Sequence, residues 1–416
     1  MSKIKYLAIL LIGLYSCDLG NQNQTKKEDS KEAVMKKEYS KGSYGFDKTF
    51  LESKLDIVEL GDGDSKLIVI PQYQGRVMTS TCKGDNGFSY GWINYDLIKS
   101  GEVLEHMNGF GGEERFWIGP EGGQFSVFFK KGVSFDFENW FTPKEIDTDE
   151  FELVSKTANS VSFKKEMNLE NYSGSKFSLT VNRDVNLLST AIISEHLGID
   201  IDGVQEVAYE TVNKITNTGG NDWKKESGSL SVWLLGMLIP SPGVTVVIPV
   251  KEGSVAKLGI EVNDNYFGKV SADRLKTENS TVFFKADGKS RGKIGISPER
   301  AKPFLGSYDA INKVLTIVEV VLPKEESKYV NSAWELQDDP YSGDAINSYN
   351  DGPLEDGSQM GPFYEIESSS PALALESGGS YSHIQRTYHF EGEEEKLNVI
   401  SEKLLGVSIS EIIKQF

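Results

Sequence analysis

Residues 364–390, YEIESSSPALALESGGSYSHIQRTYHF, decide the fold class of this chain. Glu365 and Glu367 are two residues apart, so on a β-strand both carboxylates lie on one face. A turn-rich segment follows at 368–371, and a Gly-Gly pair precedes residues 381–389, where polar side chains alternate at period two. The pattern predicts two paired β-strands, the second with a mostly polar face.

Short β-strand patterns recur from residue 44 to residue 321, separated by turn residues. Many alternate apolar and polar side chains, as in Phe177–Arg183, and Leu187–His196 is another of the predicted strands. Their irregular spacing, without a fixed repeat or a long helical period, predicts a mainly β fold. We expect one large antiparallel β-sandwich domain over residues 44–416.

The last residues of the chain change from a strand period to a helical one. Apolar residues from Leu397 to Leu405 share one helical face, and Gly406 is a plausible stop. Ser408 and Glu411 have the spacing of a capping box for a last short helix. The pattern predicts a C-terminal helical segment over residues 394–416, packed on the sandwich and without a chemical role.

Charge and cysteine content limit the classes of partner. The chain has 416 residues, a formal net charge of −18 and a pI near 4.8. Phosphate backbones require Lys and Arg neutralisation, so we expect no nucleic acid partner. Beyond the N-terminus only Cys82 remains, which excludes an internal disulfide and a cysteine zinc site and predicts a buried thiol.

The N-terminus has the features of an export signal. Lys3 and Lys5 precede an apolar run over residues 6–15 that is too short to span a bilayer. The following LYSC, ending at Cys17, resembles a bacterial lipobox, in which the cysteine is lipidated. The resemblance implies a lipoprotein signal peptide over 1–16 and membrane anchoring in a bacterial cell envelope; the alternative is an ordinary secretory signal. Residues 17–43 are polar and charged, which predicts a disordered tether.

The opening stretch also carries a family resemblance. Its pattern E-x-E-x-x-S-P, a glycine turn and then S-H-x-x-R-T-x-x-F is similar to the C-terminal hairpin of galactose-mutarotase-like proteins, the aldose 1-epimerase-like superfamily. The chain also resembles bacterial lipoproteins of unknown function with this fold. The resemblance implies a β-supersandwich and acid–base chemistry on a sugar ring, with Glu367 as the base. Glu365 is the alternative candidate for the base, and two carboxylates this close together would suit an acid–base pair.

A second informative stretch is HMNGFGGEERFWIGPEGGQ, residues 106–124. Its glycines allow tight turns, a guanidinium suits vicinal hydroxyls or a sugar carboxylate, and an indole face suits a pyranose. It resembles a Gly-Gly-x-Arg/Leu-Trp-x-x-Pro-Glu region of mutarotase-like families. The alternatives are turn glycines, a plain ion pair and a core tryptophan. The candidate ligand-binding residues are Glu114, Arg115, Trp117 and Gln124, with His106 as a candidate acid.

Three further candidates come from shorter resemblances. The segment around Arg76 is similar to a sugar-facing opening strand of mutarotase-like proteins. Residues 334–352 are polar and Asp-rich, which predicts a long surface loop; near its end, Asn350 and Asp351 resemble a Tyr-Asn-Asp-Gly segment of bacterial mutarotase-like lipoproteins. The loop lacks EF-hand spacing, so we expect no metal and no cofactor.

The acid that would complete an epimerase pair is not evident. The strand over 204–217 resembles one that leads into a histidine in epimerases, but that histidine is absent here. His383 and His389 are the remaining candidates beside His106.

Three classes of function therefore stay open. The first is a carbohydrate enzyme, epimerase-like or with lyase or hydrolase activity on the same scaffold. The second is a non-catalytic surface glycan-binding lipoprotein, and the third is a structural envelope protein. The first two require Glu367 to meet Arg115 and Trp117 on one concave β surface.

Overall fold

Two large antiparallel sheets contain the strands of the described chain. Residues 38–416, which the computed structural model describes, form 18 strands. In chain order they are β1 Val58–Asp62, β2 Ser65–Ile70, β3 Arg76–Thr81, β4 Gly112–Gly119, β5 Glu152–Lys156, β6 Ser160–Glu170, β7 Lys176–Leu187, β8 Gln205–Asn217, β9 Ser231–Leu238, β10 Val244–Pro249, β11 Leu275–Glu278, β12 Thr281–Lys285, β13 Gly292–Ile296, β14 Phe304–Asp309, β15 Val314–Val320, β16 Ile346–Asn350, β17 Tyr364–Ser369 and β18 Ser380–Glu391.

The strand order separates the sheets clearly. One has eight strands in the order β1-β2-β3-β4-β9-β17-β16-β13, and the other has ten in the order β11-β12-β10-β14-β15-β18-β8-β7-β6-β5. The described residues also form six α-helices. They are α1 Tyr44–Glu52, α2 Tyr95–Ser100, α3 Thr190–Leu197, α4 Val255–Leu258, α5 Glu394–Leu405 and α6 Ile409–Ile413. The predicted mainly β, two-sheet architecture with short C-terminal helices is confirmed.

Residues Tyr39–Phe416 form one compact unit, which includes the last residues of the predicted tether. The predicted signal peptide, Cys17 and the rest of the tether lie outside the described residues. Within residues 38–416 there is no helix with the length and apolar character needed to cross a bilayer.

Local sequence explains the elements that build the sheets. Strand β7 alternates buried and partly exposed residues along nearly its whole length, as period-two patterning requires. Strand β9, SVWLLGML, is buried at every position because it lies inside the eight-stranded sheet with both faces covered. Helix α5 ends at Gly406, with φ 74°, and Ser408 and Glu411 form the predicted capping box of α6.

The inner face of the eight-stranded sheet packs against the ten-stranded sheet. On β17, Tyr364 and Ile366 belong to a buried cluster that includes Leu305 and Val318 of the opposite sheet. The face of the eight-stranded sheet that points away from this core is called the outer face below. Because side chains alternate along β17, Glu365 and Glu367 lie on the outer face.

Three secondary-structure predictions are wrong. Strands β17 and β18 do not pair with each other: β17 pairs with β9 and β16, and β18 pairs with β8 and β15, because the connection between them crosses from one sheet to the other. The segment predicted as a strand at 187–196 is mostly helix α3, whose Ile193 and Leu197 pack inward one turn apart. The predicted loop over 334–352 contains β16.

Candidate functional site

Five strands of the eight-stranded sheet position the candidate site on its outer face. Across the sheet, Glu367 on β17 lies opposite Leu235 on β9, and Leu235 lies opposite Arg115 on β4. Glu365 lies opposite Met237 in the same way. Directly opposed residues share a face, so the two glutamates and the arginine come from strands far apart in sequence to one surface.

Two ion pairs form the centre of this surface. Arg115 lies 3.6 Å from Glu365, and the Lys293 ammonium donates to Glu367 Oε2 at 2.9 Å. The indole N–H of Trp233 donates to the same oxygen at 2.9 Å. Glu367 Oε1 is buried without a hydrogen-bond partner among the described residues. One oxygen of Glu367 is thus held in place, and the other is free to exchange a proton or bind a hydroxyl.

Two indole faces in the site are covered by cations. The Arg115 guanidinium carbon lies 4.0 Å from the centre of the Trp117 ring, and Lys293 Nζ lies 4.9 Å from the centre of Trp233. The two tryptophans meet edge to face at 5.4 Å. These cation–π contacts fix the directions of the arginine and the lysine. They also show that a sugar stacking on either covered face would have to displace a cation.

Burial and neighbouring charge shift the proton affinities of the site. Burial and the Glu367 carboxylate raise the pKa of Glu365 to about 8, although Arg115 and Lys293 act in the opposite direction. Burial alone would lower the pKa of Lys293, but Glu367, Glu365 and Glu121 together raise it above its ordinary value. Glu365 can therefore hold a proton near neutral pH while Glu367 lies against an ammonium group.

A third carboxyl group extends the cluster. Burial raises the pKa of Glu121 to about 7, and Glu367 acts in the same direction while Lys293 opposes it. Glu121 follows β4, just beyond the predicted Arg115–Trp117 segment. The cluster thus combines three carboxyl groups with two cations.

Tyr266, in the connection between β10 and β11, lies over the cluster. Its hydroxyl donates to Asp344 and accepts from Asn347 Nδ2 at 2.9 Å, and its ring centre lies 5.6 Å from Lys293 Nζ. Glu365 is 6% exposed and Glu367 is fully buried. Access for a ligand requires the cover to move.

Comparison with protein families identifies the chain. Residues 42–416 match the model described as Family of unknown function (DUF6786). The chain belongs to this family. No curated protein matches the sequence of this DUF6786 member.

Solved structures similar to this DUF6786 member are aldose 1-epimerase-like and galactose mutarotase-like proteins. A protein assigned as an aldose 1-epimerase from Escherichia coli K12 has 12% identity and a TM-score of 0.49, covering 81% of this chain and 99% of its own. A galactose mutarotase-like protein from Lactobacillus casei has 10% identity and a TM-score of 0.47, covering 80% and 100%. A galactose mutarotase related enzyme from Lactobacillus acidophilus has 8% identity and a TM-score of 0.44, covering 80% and 97%.

Five of the predicted site residues of this DUF6786 member lie at or beside the cluster. Arg115, Trp117, Glu365 and Glu367 form its centre. Asp351 lies at its edge, where it accepts a 2.8 Å hydrogen bond from the hydroxyl of Tyr349, the residue opposite Glu365 on β16. Its charge adds to the rise in the pKa of Glu365.

Glu114 lies on the inner side of the sheet instead. Its carboxylate approaches Arg183 Nη2 at 2.9 Å as an ion pair without hydrogen-bond alignment, and it accepts a 2.9 Å bond from Gln385. The register between β4 and β9 shifts between Gly112 and Arg115, so an extra residue enters β4. Glu114, the neighbour of Arg115, lies on the opposite face by strand alternation, and the bulge brings Glu113 to the inner side as well.

Two other predicted residues, Arg76 and Gln124, form hydrogen bonds to the backbone of other segments. Arg76 donates to the carbonyl of Gly111 at 2.9 Å and is fully buried. The Gln124 side chain exchanges two 2.9 Å hydrogen bonds with the backbone of Gln337. These contacts fix the loops that approach the site.

The last two predicted residues have similar positioning contacts. Asn350 accepts from the Gly288 amide at 2.9 Å and donates to a carbonyl at 2.8 Å. His106 Nδ1 lies 2.6 Å from the carbonyl oxygen of Trp140, and its ring packs against Phe137 and Phe141 at 4.5 Å.

The two candidate histidines of β18 lie between the sheets. His383 Nε2 is 2.8 Å from Ser368 Oγ, and His389 Nε2 is 3.1 Å from Glu113. Burial lowers the pKa of His383 to about 4. Both histidines therefore face the core, on the opposite side of the eight-stranded sheet from Glu365 and Glu367.

Sequence reasoning missed four residues of the cluster, Glu121, Trp233, Tyr266 and Lys293. Lys293 lies in the strand sequence GKIGI, where a single charge between apolar and glycine residues could have been noticed. Trp233 lies in an apolar run that indicates only a buried strand. Nothing in the sequence indicates that either residue meets Glu367.

Proposed function

We propose that this protein binds a carbohydrate on the outer face of the eight-stranded sheet and performs acid–base chemistry on the sugar ring. The supporting observation is the pair Glu365 and Glu367 on one face of β17. One of them has a raised pKa, and the other is held by Lys293. Two carboxyl groups on one face, in different surroundings, are what a paired acid and base require.

The reaction we propose is interconversion of sugar anomers. Glu367, through its unpartnered Oε1, takes the proton from the anomeric hydroxyl, and Glu365 donates its proton to the ring oxygen. The bond between the anomeric carbon and the ring oxygen breaks as the anomeric C=O forms. Rotation about the adjacent C–C bond followed by the reverse proton transfers closes the ring as the other anomer, so no redox partner is needed.

The two cations have supporting roles in this proposal. Lys293 donates a 2.9 Å hydrogen bond to Glu367 Oε2 and so holds the carboxyl group in place while its other oxygen accepts the proton. Arg115 balances charge on Glu365 once the proton has left, from a distance of 3.6 Å. Tyr266 must move to admit the sugar, because its hydroxyl bonds to Asp344 and Asn347 across the cluster.

Anomer interconversion in a panel of monosaccharides, followed by NMR exchange spectroscopy, tests the proposal. Glu367→Gln should lower the rate about 10²–10⁴-fold, the usual contribution of a positioned acid or base. Glu326→Gln, which changes an exposed glutamate outside the cluster, should leave the rate unchanged. Unchanged turnover in a folded Glu367→Gln variant would remove the catalytic assignment.

Carbohydrate binding without turnover is the second candidate. Both central carboxylates are already matched by cations, and in residues 38–416 no histidine approaches them. Sugar binding by the wild type in calorimetry, without anomer exchange or oligosaccharide cleavage, would favour this candidate. Cleavage of an oligosaccharide would instead favour a lyase or hydrolase activity on the same scaffold.

We also propose that Cys17 is acylated and anchors the protein to a bacterial envelope membrane. The support is the LYSC sequence after a short apolar run. Cys17→Ala should move the protein from the membrane fraction to the soluble fraction, and Cys82→Ala, which changes a buried thiol, should not. Continued membrane retention of Cys17→Ala would count against the anchor.

A further inference from the structure

The buried cations of the site are not available to an anionic ligand. Arg115 is paired with Glu365 at 3.6 Å, and Lys293 is paired with Glu367 at 2.9 Å. Glu121 adds a further carboxyl group. An anion entering this centre would meet three carboxyl groups placed around the two buried cations, so the centre suits the uncharged part of a sugar.

Arg291 offers a cation of a different kind at the edge of the site. It precedes β13 and lies two residues before Lys293, and its side chain is exposed. Its guanidinium carbon lies 3.9 Å from the centre of the Phe267 ring. Among residues 38–416 it has no carboxylate within 4.0 Å. The aromatic ring fixes the plane of the guanidinium while its N–H donors remain available.

Phe267 connects Arg291 to the candidate site. Its neighbour Tyr266 covers Lys293, and the Phe267 ring meets the Tyr349 ring edge to face at 5.9 Å. Tyr349 lies opposite Glu365 in the sheet. Arg291 is therefore at the rim of the surface on which the sugar would bind.

Two lysines flank the same contact in sequence. Lys269 follows Phe267 by two residues, and Lys289 precedes Arg291 by two. Both are exposed, and the described part of the chain places no carboxylate within 4.0 Å of either amine. The segments around Phe267 and Arg291 thus carry exposed basic side chains, although the chain as a whole has a net charge of −18.

We infer that the carbohydrate recognised at this site carries an anionic substituent, such as a carboxylate, sulfate or phosphate group, which binds Arg291 at the rim. The inference rests on the proposed function and specifies its ligand class. The uncharged ring faces Glu365 and Glu367, and the anionic group accepts two hydrogen bonds from the exposed guanidinium. The attraction between the exposed guanidinium and the anionic group weakens with salt.

Matched pairs of methyl glycosides test the inference by isothermal titration calorimetry at low and high salt. The pairs are methyl glucoside and methyl galactoside against their uronate, 6-sulfate and 6-phosphate counterparts. At low salt we expect the preferred acidic member to bind up to about fivefold more tightly, the upper end of what one exposed ion pair supplies. A comparison of the affinities for the uronate, the 6-sulfate and the 6-phosphate identifies which anionic group the site prefers.

Variants assign the preference to Arg291. Arg291→Met keeps an unbranched side chain against Phe267 and should abolish the preference for the acidic glycoside while leaving the affinity for the neutral one unchanged. Arg291→Lys should retain part of the preference. Lys156→Met, on the exposed strand β5 of the other sheet, should change neither affinity.

The outcomes separate this inference from the proposed function. Equal binding of neutral and acidic glycosides by the wild type would overturn the inference and leave the proposed function standing. A preference that survives in Arg291→Met would overturn the assignment to Arg291. Absence of binding by any glycoside, together with absence of anomer exchange, would overturn the proposed function and the inference with it.

Discussion

Two buried ionic clusters lie on opposite sides of the eight-stranded sheet. The inner cluster pairs Glu114 with Arg183 at 2.9 Å between the sheets, where both side chains are inaccessible to solvent. The outer cluster pairs Glu365 with Arg115 at 3.6 Å. Their residue types are the same, but the inner pair is enclosed by two sheets and the outer pair is covered by loop residues such as Tyr266.

The two clusters differ in the partners that surround the carboxyl groups of Glu114 and Glu365. Glu114 has a close guanidinium and an amide donor from Gln385, so its charge is matched inside the core. Glu365 has a more distant cation and a second carboxylate nearby, and its pKa rises to about 8. A matched charge fixes structure, whereas a carboxyl group poised near neutral pH can exchange a proton.

The largest expected effect comes from removing the cation of each pair. Arg183→Met strands the buried charge of Glu114, and we expect the free energy of unfolding to fall by about 3–5 kcal/mol. Arg115→Met leaves Glu365, which can become neutral by keeping its proton, so a loss of about 1–2 kcal/mol is expected. Urea denaturation at pH 7 measures both. Equal losses would contradict the distinction between the clusters.

The pH dependence of stability sharpens the contrast on the outer side. The pKa of Glu365 is about 8 in the folded state against 4.5 as its ordinary value, so the folded state keeps a proton that the unfolded state releases. The stabilisation that this proton gives the folded state is complete below about pH 4.5 and is lost as pH rises toward 8. The free energy of unfolding falls by up to about 4 kcal/mol over this range. Glu365→Gln should remove that loss. A wild-type-like slope between pH 5 and 8 in denaturant titrations of the variant would refute it.

On the inner side, stability should change with pH in the opposite direction, because a histidine there has a lowered pKa. Burial lowers the pKa of His383 from 6.5 to about 4, so the unfolded state takes up a proton that the folded state refuses. The stability of the fold with neutral His383 is complete above about pH 6.5 and is lost as pH falls toward 4. The free energy of unfolding falls by up to about 3 kcal/mol over this range. His383→Gln keeps a polar group beside Ser368 and should flatten this acid limb. Thermal unfolding at pH 7, 5.5 and 4.5 compares the two proteins.

Strand alternation in the sequence predicts which side chains of β17 share a face of the sheet, but it fails for β4. Strict alternation places Glu365 and Glu367 together, and the strand is regular there. On β4, alternation would put Glu113 on the face of Arg115, but the bulge sends Glu113 inward to Ser80. A bulge depends on the partner strand, so local pattern cannot reveal it.

Partners supplied by topology were also beyond sequence reasoning. Lys293 reaches Glu367 because β13, β16 and β17 are neighbours in the sheet, although 74 residues separate them in sequence. The polar face of β18 was predicted, but not its place between the sheets, because that follows from the crossover between β17 and β18. Period two predicts which residues share a face but not what that face meets.

A crystal structure after soaking with neutral monosaccharides and uronates tests the central claim most directly. We expect a sugar on the outer face, with a hydroxyl within hydrogen-bond distance of Glu367 Oε1 and with Tyr266 displaced from Asp344. A sugar bound on another surface, with Glu365 and Glu367 still covered and unchanged, would contradict the assignment of this cluster as the carbohydrate site.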